Sequence, residues 1–512
     1  ELRAIGGGTP GTPGLGIGRT QHIAFAATNG YADVVDLYLE TPDPAREGHY
    51  LEGEKSLPFE SREEKIRVRD PAAPGGLREK ILVVRSTRRG PILSDHGLAT
   101  AENHLVSLRW SGAARSADEL GSRELLLARS VDEARAAIAK QAVALTHIVA
   151  DSQGNIARVA SGWVPLRTRG DGSSPLPVLD SGDSWQGFIP GDEMPAVVNP
   201  ARQWLGSANH RIVPADYPYA YSTHFSHSWR YRRLRELLDA SNAASVQDHW
   251  EILQDAKNSM AARIAPLMLR ALERDPAAAP LARILADWDG VDAADSAGAA
   301  VFQATYRHFA RRTFEDDLGP ALTTEYLDDP YYWHERLAQM LQGGAPGWFD
   351  DARTPEIETR DDLFRLAAGD ARVELKEQLG DDPASWRWGD LHRTTFSSPL
   401  RSHPQASDCP NGGTHPARGS GETLHRSAYR ASAPYATTFL SSMNFVADLA
   451  DPDKVTAGIP GGVSGRCNSP HLKDQLTPWL AAEPGAWWFS DREIHRHAVS
   501  RTLLTPEAPK EQ

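Results

Sequence analysis

The sequence predicts an α+β enzyme in which a mainly helical block is inserted between two β-containing parts. Three observations lead there. Short apolar runs with strand-type alternation fill the first part of the chain, as in Ile66-Arg67-Val68-Arg69. From about residue 228 the period becomes three or four, with Val246, Trp250, Leu253, Ala256, Met260, Ile264, Leu267 and Ala271 on one stripe. Near residue 386 that period gives way to loops and short strands. The division is therefore 1–227, 228–385 and 386–512, with no linker poor enough in apolar residues to mark independent domains.

Taken in order, residues 1–20 are glycine-rich and contain Pro10 and Pro13, which predicts a loop. The segment HIAFAATNGYADVVDLYLE holds two apolar runs parted by Asn29-Gly30 and reads as strand, turn, strand. Further strands follow at Ile66–Arg69, Ile81–Val84 and Glu102–Trp110. Residues 122–143 read as a helix, and 144–162 as a hairpin turning at Asp151–Asn155. Ser245 caps the helix that carries the long stripe. The block continues through AGAAVFQATYRHFARRTFEDDLG, YYWHERLAQMLQ and DDLFRLAAGDARVELKEQLG.

Composition narrows the function. With Lys+Arg 55 against Asp+Glu 68, the net charge is −13, so the totals supply no basic surface for nucleic acid. No run approaches the roughly 18 apolar residues of a membrane-spanning helix, which predicts a soluble chain without a membrane partner. Two cysteines, Cys409 and Cys467, exclude a disulfide scaffold and a four-cysteine zinc site, leaving two free thiols or one bridge closing a long loop. The chain opens at Glu1 with neither methionine nor a leader, which suggests a processed subunit or a fragment.

Few motifs carry chemistry alone. Gly6 to Gly11 matches GxGxxG, but no strand precedes it and Pro10 and Pro13 prevent the following helix. Neither GxxxxGK[ST] nor HExxH occurs, and Gly462-Val463-Ser464-Gly465-Arg466 lacks the last glycine of a serine-hydrolase elbow. His224 with His227, and His495 with His497, are close pairs without an evident third ligand; a zinc hydrolase built on His224, His227 and a distal histidine is one reading, hydrogen-bonded histidines the blander one. Asp33 and Asp36 flank the Val35 carbonyl as a partial oxygen cage, or are solvated acids on a strand edge.

Ordered blocks over nearly the whole chain resemble the large (β) chain of the penicillin acylase family. They lie at 7–40, 144–162 and 176–212, then at 216–218 (DYP), 229–238 (WRYRRLRELL), 285–290 (LADWDG), 386–392 (WRWGDLH) and 460–480 (PGGVSGRCNSPHLKDQLTPWL). The resemblance implies a four-layer αββα N-terminal nucleophile hydrolase fold with a helical insertion. It implies an amidohydrolase whose nucleophile is the first residue of the β chain, usually serine. Its free α-amino group acts as base, and self-cleavage of a precursor unmasks it. The family segment carrying that serine precedes the block that begins here at Glu1, so the nucleophile is expected outside these residues and the chain alone is expected to be inactive.

By the same resemblance the Asn209 side chain and the Asn29 backbone N–H are the oxyanion donors, and Arg230 supports the active-site network. Ile17, Ala27 and Leu145 line the acyl pocket. Asp33, Val35 and Asp36 hold a structural Ca²⁺, although a further family carboxylate falls on Tyr221, leaving the cage incomplete or completed by Asp216. Implied partners are a small α chain from the same precursor and a small-molecule amide. The family is typically exported to the periplasm or outside the cell, where a Cys409–Cys467 bridge fits. The competing class is a catalytically silent relative that binds acylated ligands or a partner.

Overall fold

The computed structural model describes residues 2–9, 11, 14–99, 101–113, 121–241, 245–343, 346–397 and 412–503. The chain forms two compact units. One comprises Phe25–Ser226 with Gly11–Gly14; the other comprises Glu1–Pro10, Leu15–Ala24 and His227–Gln512. Residues 228–385 and 386–512 therefore share one unit.

In the unit built on Phe25–Ser226, the strand Ile23–Asn29 neighbours Leu145–Asp151, which pairs antiparallel with Ile156–Ala160, and that with Ala196–Val198. The expected hairpin is present, and Asp151 makes its turn: its Oδ1 accepts N–H bonds from Gln153 at 3.0 Å and Asn155 at 2.9 Å. A second sheet has the order Leu105–Trp110, Val35–Pro42, His49–Glu52, Lys55–Pro58, with Leu176–Pro177 added parallel to Val35–Pro42. Asn29-Gly30 thus does not close a hairpin, because the strands before and after it enter different sheets. The Gly30 N–H goes to the Ala144 carbonyl at 3.1 Å, and Tyr31 takes a φ of 52°, which swings the chain away.

Two further expectations change here. The alternating segments 66–69 and 81–84 belong to a long hairpin, Glu60–Arg69 with Leu77–Thr87, yet all ten residues of its first strand are exposed. Alternation there marks pleat, not a buried face. The helix expected over 122–143 is two helices, Ser122–Leu127 and Val131–Ile138, because the Ser130 side chain accepts the Glu133 N–H and starts the second afresh.

The other unit carries most helices and a large apolar core. The stripe over 246–271 splits into Val246–Leu253, opened by a Ser245/Asp248 capping box, and Ala261–Leu272. Buried Asn258 causes the break: its Oδ1 accepts the Ala261 N–H at 2.9 Å while its Nδ2 donates to Asp292 at 3.0 Å. The long helix Ala297–Leu327 bends at Gly319 (φ 72°), just before Pro320. It packs on Arg360–Leu379, with the Phe309 and Phe364 rings stacked 4.1 Å apart. Short strands follow, among them Asn444–Ala447, Val455–Gly458 and Gly485–Ala486 in one antiparallel sheet.

The glycine-rich start is not a loop throughout. Ala4–Gly7 pairs antiparallel with Ile17–Thr20 in the register Gly6↔Gly18. A Cβ on Gly6 would lie 2.1 Å from the Ile17 carbonyl oxygen, so glycine is required by close strand approach. Among the described residues no helix is long and apolar enough to cross a membrane. Cys467 is disulfide-bonded; Cys409 lies outside the described residues.

Candidate active site

The strand Ile23–Asn29 delivers Asn29 at its exposed end, and the loop after residue 199 brings Asn209 to it across 180 residues of sequence. The Asn209 Nδ2 donates to the Asn29 carbonyl at 3.0 Å. Asn209 has a φ of 61°, a left-handed conformation that asparagine tolerates, and its own carbonyl accepts the Ser226 N–H at 2.9 Å. One residue before Asn29 and two before Asn209, the Thr28 and Ser207 hydroxyls lie 2.6 Å apart. Both asparagines are therefore held by paired neighbours.

Beside them, Gly30 is buried and its absent side chain matters: a Cβ would stand 3.0 Å from the Leu145 carbonyl carbon and 3.1 Å from its oxygen. Leu145 opens the neighbouring strand and Ala27 lies two residues before Asn29, both half-buried, so two of the three expected pocket residues border this end of the sheet. The same unit contains an apolar cluster that includes Ala32, Ala160, Val164, Ile212 and Tyr221. The Tyr31 ring meets His224 edge-on at 5.5 Å. Ile17 and Arg230 belong to the other compact unit, Ile17 opposite Gly7 and Arg230 in the helix Trp229–Ala240, where it is buried in spite of the arginine run around it.

The expected calcium residues show a different cation. Arg167 Nε reaches both oxygens of Asp36, at 3.1 and 2.9 Å, and its Nη2 lies 3.2 Å from the Asp33 carbonyl and 3.3 Å from Asp33 Oδ1. Trp185 Nε1 adds a 2.5 Å bond to Asp36 Oδ2. Tyr221, at the place of the further carboxylate, gives its backbone carbonyl to the Asp33 N–H at 2.8 Å. With the carboxylate oxygens turned onto a guanidinium that is 4% exposed, this donor set as arranged does not fit a calcium ion. Burial, the largest influence, pushes the Asp33 carboxyl up from its ordinary value, and Arg167 opposes it.

Sequence reasoning did not find Arg167, which lies 131 residues from Asp36. It also passed over a buried imidazole and hydroxyl, His147 and Ser161, whose Nε2 and Oγ are 3.2 Å apart. Burial drives His147 down to about 4, and the Ser161 hydroxyl is already given to the Val143 carbonyl at 2.7 Å, so this pair is core, not a nucleophile and its base. Of the expected zinc ligands, His224 packs edge-on against Tyr31 as described, His497 lies on Trp488 at 4.0 Å, and His227 joins residues considered below.

The fold is the α+β fold of an N-terminal nucleophile hydrolase: the chain aligns with a thermostable penicillin G acylase from Alcaligenes faecalis at a TM-score of 0.74, with 20% identity, over 99% of this chain and 94% of that one. The chain belongs to the penicillin amidase family, whose pattern matches residues 1–496. It is 26% identical to the acyl-homoserine lactone acylase QuiP of Pseudomonas aeruginosa and 27% identical to the penicillin acylase 2 proenzyme of Pseudomonas sp. strain SE83, over 99% and 98% of this chain. It is 28% identical to the penicillin G acylase of Escherichia coli over 98%. The chain spans 64%, 63% and 60% of the lengths of these three relatives.

Proposed function

We propose that this chain forms the large part of an amidohydrolase that cleaves a linear amide between an acyl group and an amine, through a covalent acyl-enzyme. The observation that carries the reading is the Asn209–Asn29 bond, which joins the two expected oxyanion donors at one sheet end. A primary amide has two N–H donors; giving one to the Asn29 carbonyl fixes the amide plane, and the other is the one assigned to the oxyanion. Because the donor is oriented before charge develops, it stabilises the tetrahedral intermediate with little reorganisation. In this reading the nucleophile is the N-terminal Ser, Thr or Cys of the processed large chain, its α-amino group the base, and none of the 512 residues has that role.

The names of the relatives favour a β-lactam or an acyl-homoserine lactone as the amide. Half-buried Ala27 and Leu145 then contribute an apolar wall for the acyl chain. A small α chain from the same precursor is the proposed partner, in keeping with a relative named as a proenzyme. The disulfide at Cys467 supports an exported, oxidising location.

The test is Asn209→Ala in the complete processed protein, assayed against penicillin- and acyl-homoserine-lactone-type amides. Loss of one oxyanion donor is expected to lower kcat by about 10²-fold or more while the melting curve stays intact. Turnover equal to the parent protein would remove Asn209 from the mechanism. A parent protein that binds these amides and hydrolyses none would replace the enzyme reading by the silent binder.

A further inference from the structure

Three side chains converge in the His227–Gln512 unit, from widely separated sequence positions. His227 lies two residues before the helix Trp229–Ala240, His334 opens the helix His334–Met340, and Glu422 sits in the turn after Ser420. The Nδ1 of His227 lies 2.9 Å from Glu422 Oε2, and the Nδ1 of His334 lies 2.9 Å from Glu422 Oε1. The side chains are 2%, 13% and 3% exposed in the order His227, His334, Glu422. Their ligating atoms all fall within 4.8 Å of one another.

A buried carboxylate hydrogen-bonded by two imidazoles is the simplest account, and the geometry departs from it. Each Nδ1 lies 2.9 Å from a Glu422 oxygen, yet His227 Nδ1, His334 Nδ1 and Glu422 Oε2 have no aligned hydrogen-bond partner. Short approach without alignment is what results when lone pairs point toward a shared centre instead of along each other's N–H bonds. A second observation lies next to them. A cavity of about 70 Å³ is lined by His334, Glu422, Gln303 and Tyr306, and the buried Tyr306 hydroxyl has no hydrogen-bond partner. Two imidazoles and one carboxylate around an open position is a donor set suited to zinc-class cations, whereas calcium takes oxygen ligands throughout.

We propose that His227, His334 and Glu422 bind a zinc-class divalent cation, with its remaining position opening into the cavity beside Tyr306. The proposed ligands include none of the residues assigned to acyl transfer, and the proposal does not rest on the acylase reading. Its consequence is structural: the ion ties the turn at Glu422 to the start of two helices and neutralises a carboxylate that is otherwise among the most deeply buried in the unit.

The test uses the full chain, stripped with a strong chelator, dialysed, and titrated with Zn²⁺ and with Co²⁺. About one zinc per chain should be retained after gel filtration, the melting temperature should rise with zinc, and the cobalt form should absorb in the visible as a low-coordinate N/O site. Glu422→Gln keeps the side-chain shape and His334→Gln lies at the least buried position; either should lower retention at least tenfold and abolish the zinc-dependent shift. His495→Ala with His497→Ala, on the last helix, should leave both unchanged. Wild-type chain that retains no zinc and shows no shift overturns the proposal, as does equal retention and an unchanged cobalt spectrum in the Glu422 and His334 variants. Should one variant fail to fold, the other and the wild-type cobalt titration decide.

Discussion

Arg167 is the residue whose removal would say most about how this chain departs from its relatives' expected chemistry. Asp33 and Asp36 share one guanidinium, which makes two contacts to each and offsets one of their two negative charges. Removing one partner of a buried pair leaves an uncompensated charge and costs about 3–5 kcal/mol. Arg167→Gln is therefore expected to lower the melting temperature markedly in thermal denaturation, and added calcium to leave the wild-type curve unmoved. Calcium that raises the wild-type melting temperature would instead give the carboxylates back to an ion. Glu374 offers a second residue-scale test. Burial pushes its carboxyl up, but the bonds from His308 and Arg307, with that from the Tyr435 hydroxyl, win and hold it at about 2. Its folded value lies below its unfolded one, so its stabilisation is fully present above about pH 4.5 and is lost as pH falls toward 2. The melting-temperature gap between wild type and Glu374→Gln should accordingly be widest near neutrality and close across that window; a gap independent of pH would show that the ionised form is not what stabilises.

Several helices in this chain begin where a side chain accepts a backbone N–H, and those starts shape the element map. Thr359 and Asp362 form a reciprocal capping box at Arg360–Leu379, the helix that packs on Ala297–Leu327. Thr359→Ala is expected to cost about 1 kcal/mol, read as a shift in the denaturant midpoint at constant slope. No shift would mean that packing alone holds the helix start. The same capping logic separates what was legible in the sequence from what was not. The stripe over 246–271 gave helical character and its Ser245 cap, since period and cap are local signals. It could not show the break, because Asn258 acts through Asp292, 34 residues on. The hairpin at 145–160 was readable because Asp151 closes its turn within five residues. Asn29-Gly30 misled for the opposite reason: what decides its geometry is the Ala144 carbonyl, far along the chain. The paired start, Ala4–Gly7 with Ile17–Thr20, was hidden because glycine normally signals a loop and here permits contact.

At the scale of the molecule, the family and its fold were legible in blocks spread over the chain, while the site was legible only where a block carried it. Asn29 and Asn209 came from such blocks and are hydrogen-bonded to each other, whereas Arg167, His334 and Glu422 lie in no motif and show themselves only when distant segments are folded together. The remaining question concerns the nucleophile. The chain spans 60–64% of its relatives, and in the proposed mechanism the attacking group is the part that no residue here supplies. An amine can serve as intramolecular base to its own residue's hydroxyl or thiol only when it is a free chain terminus, so the chemistry requires a processed end. The mature large subunit from the native host is therefore expected, by intact mass and N-terminal sequencing, to start with Ser, Thr or Cys. Replacing that residue by Ala should abolish turnover with the fold retained, and acetylating its amine should do the same while leaving substrate binding in place. A mature subunit starting at Glu1 would defeat the acyl-enzyme mechanism, since a terminal glutamate supplies neither hydroxyl nor thiol, and the ligand-binding alternative would then account for the Asn209–Asn29 end of the sheet.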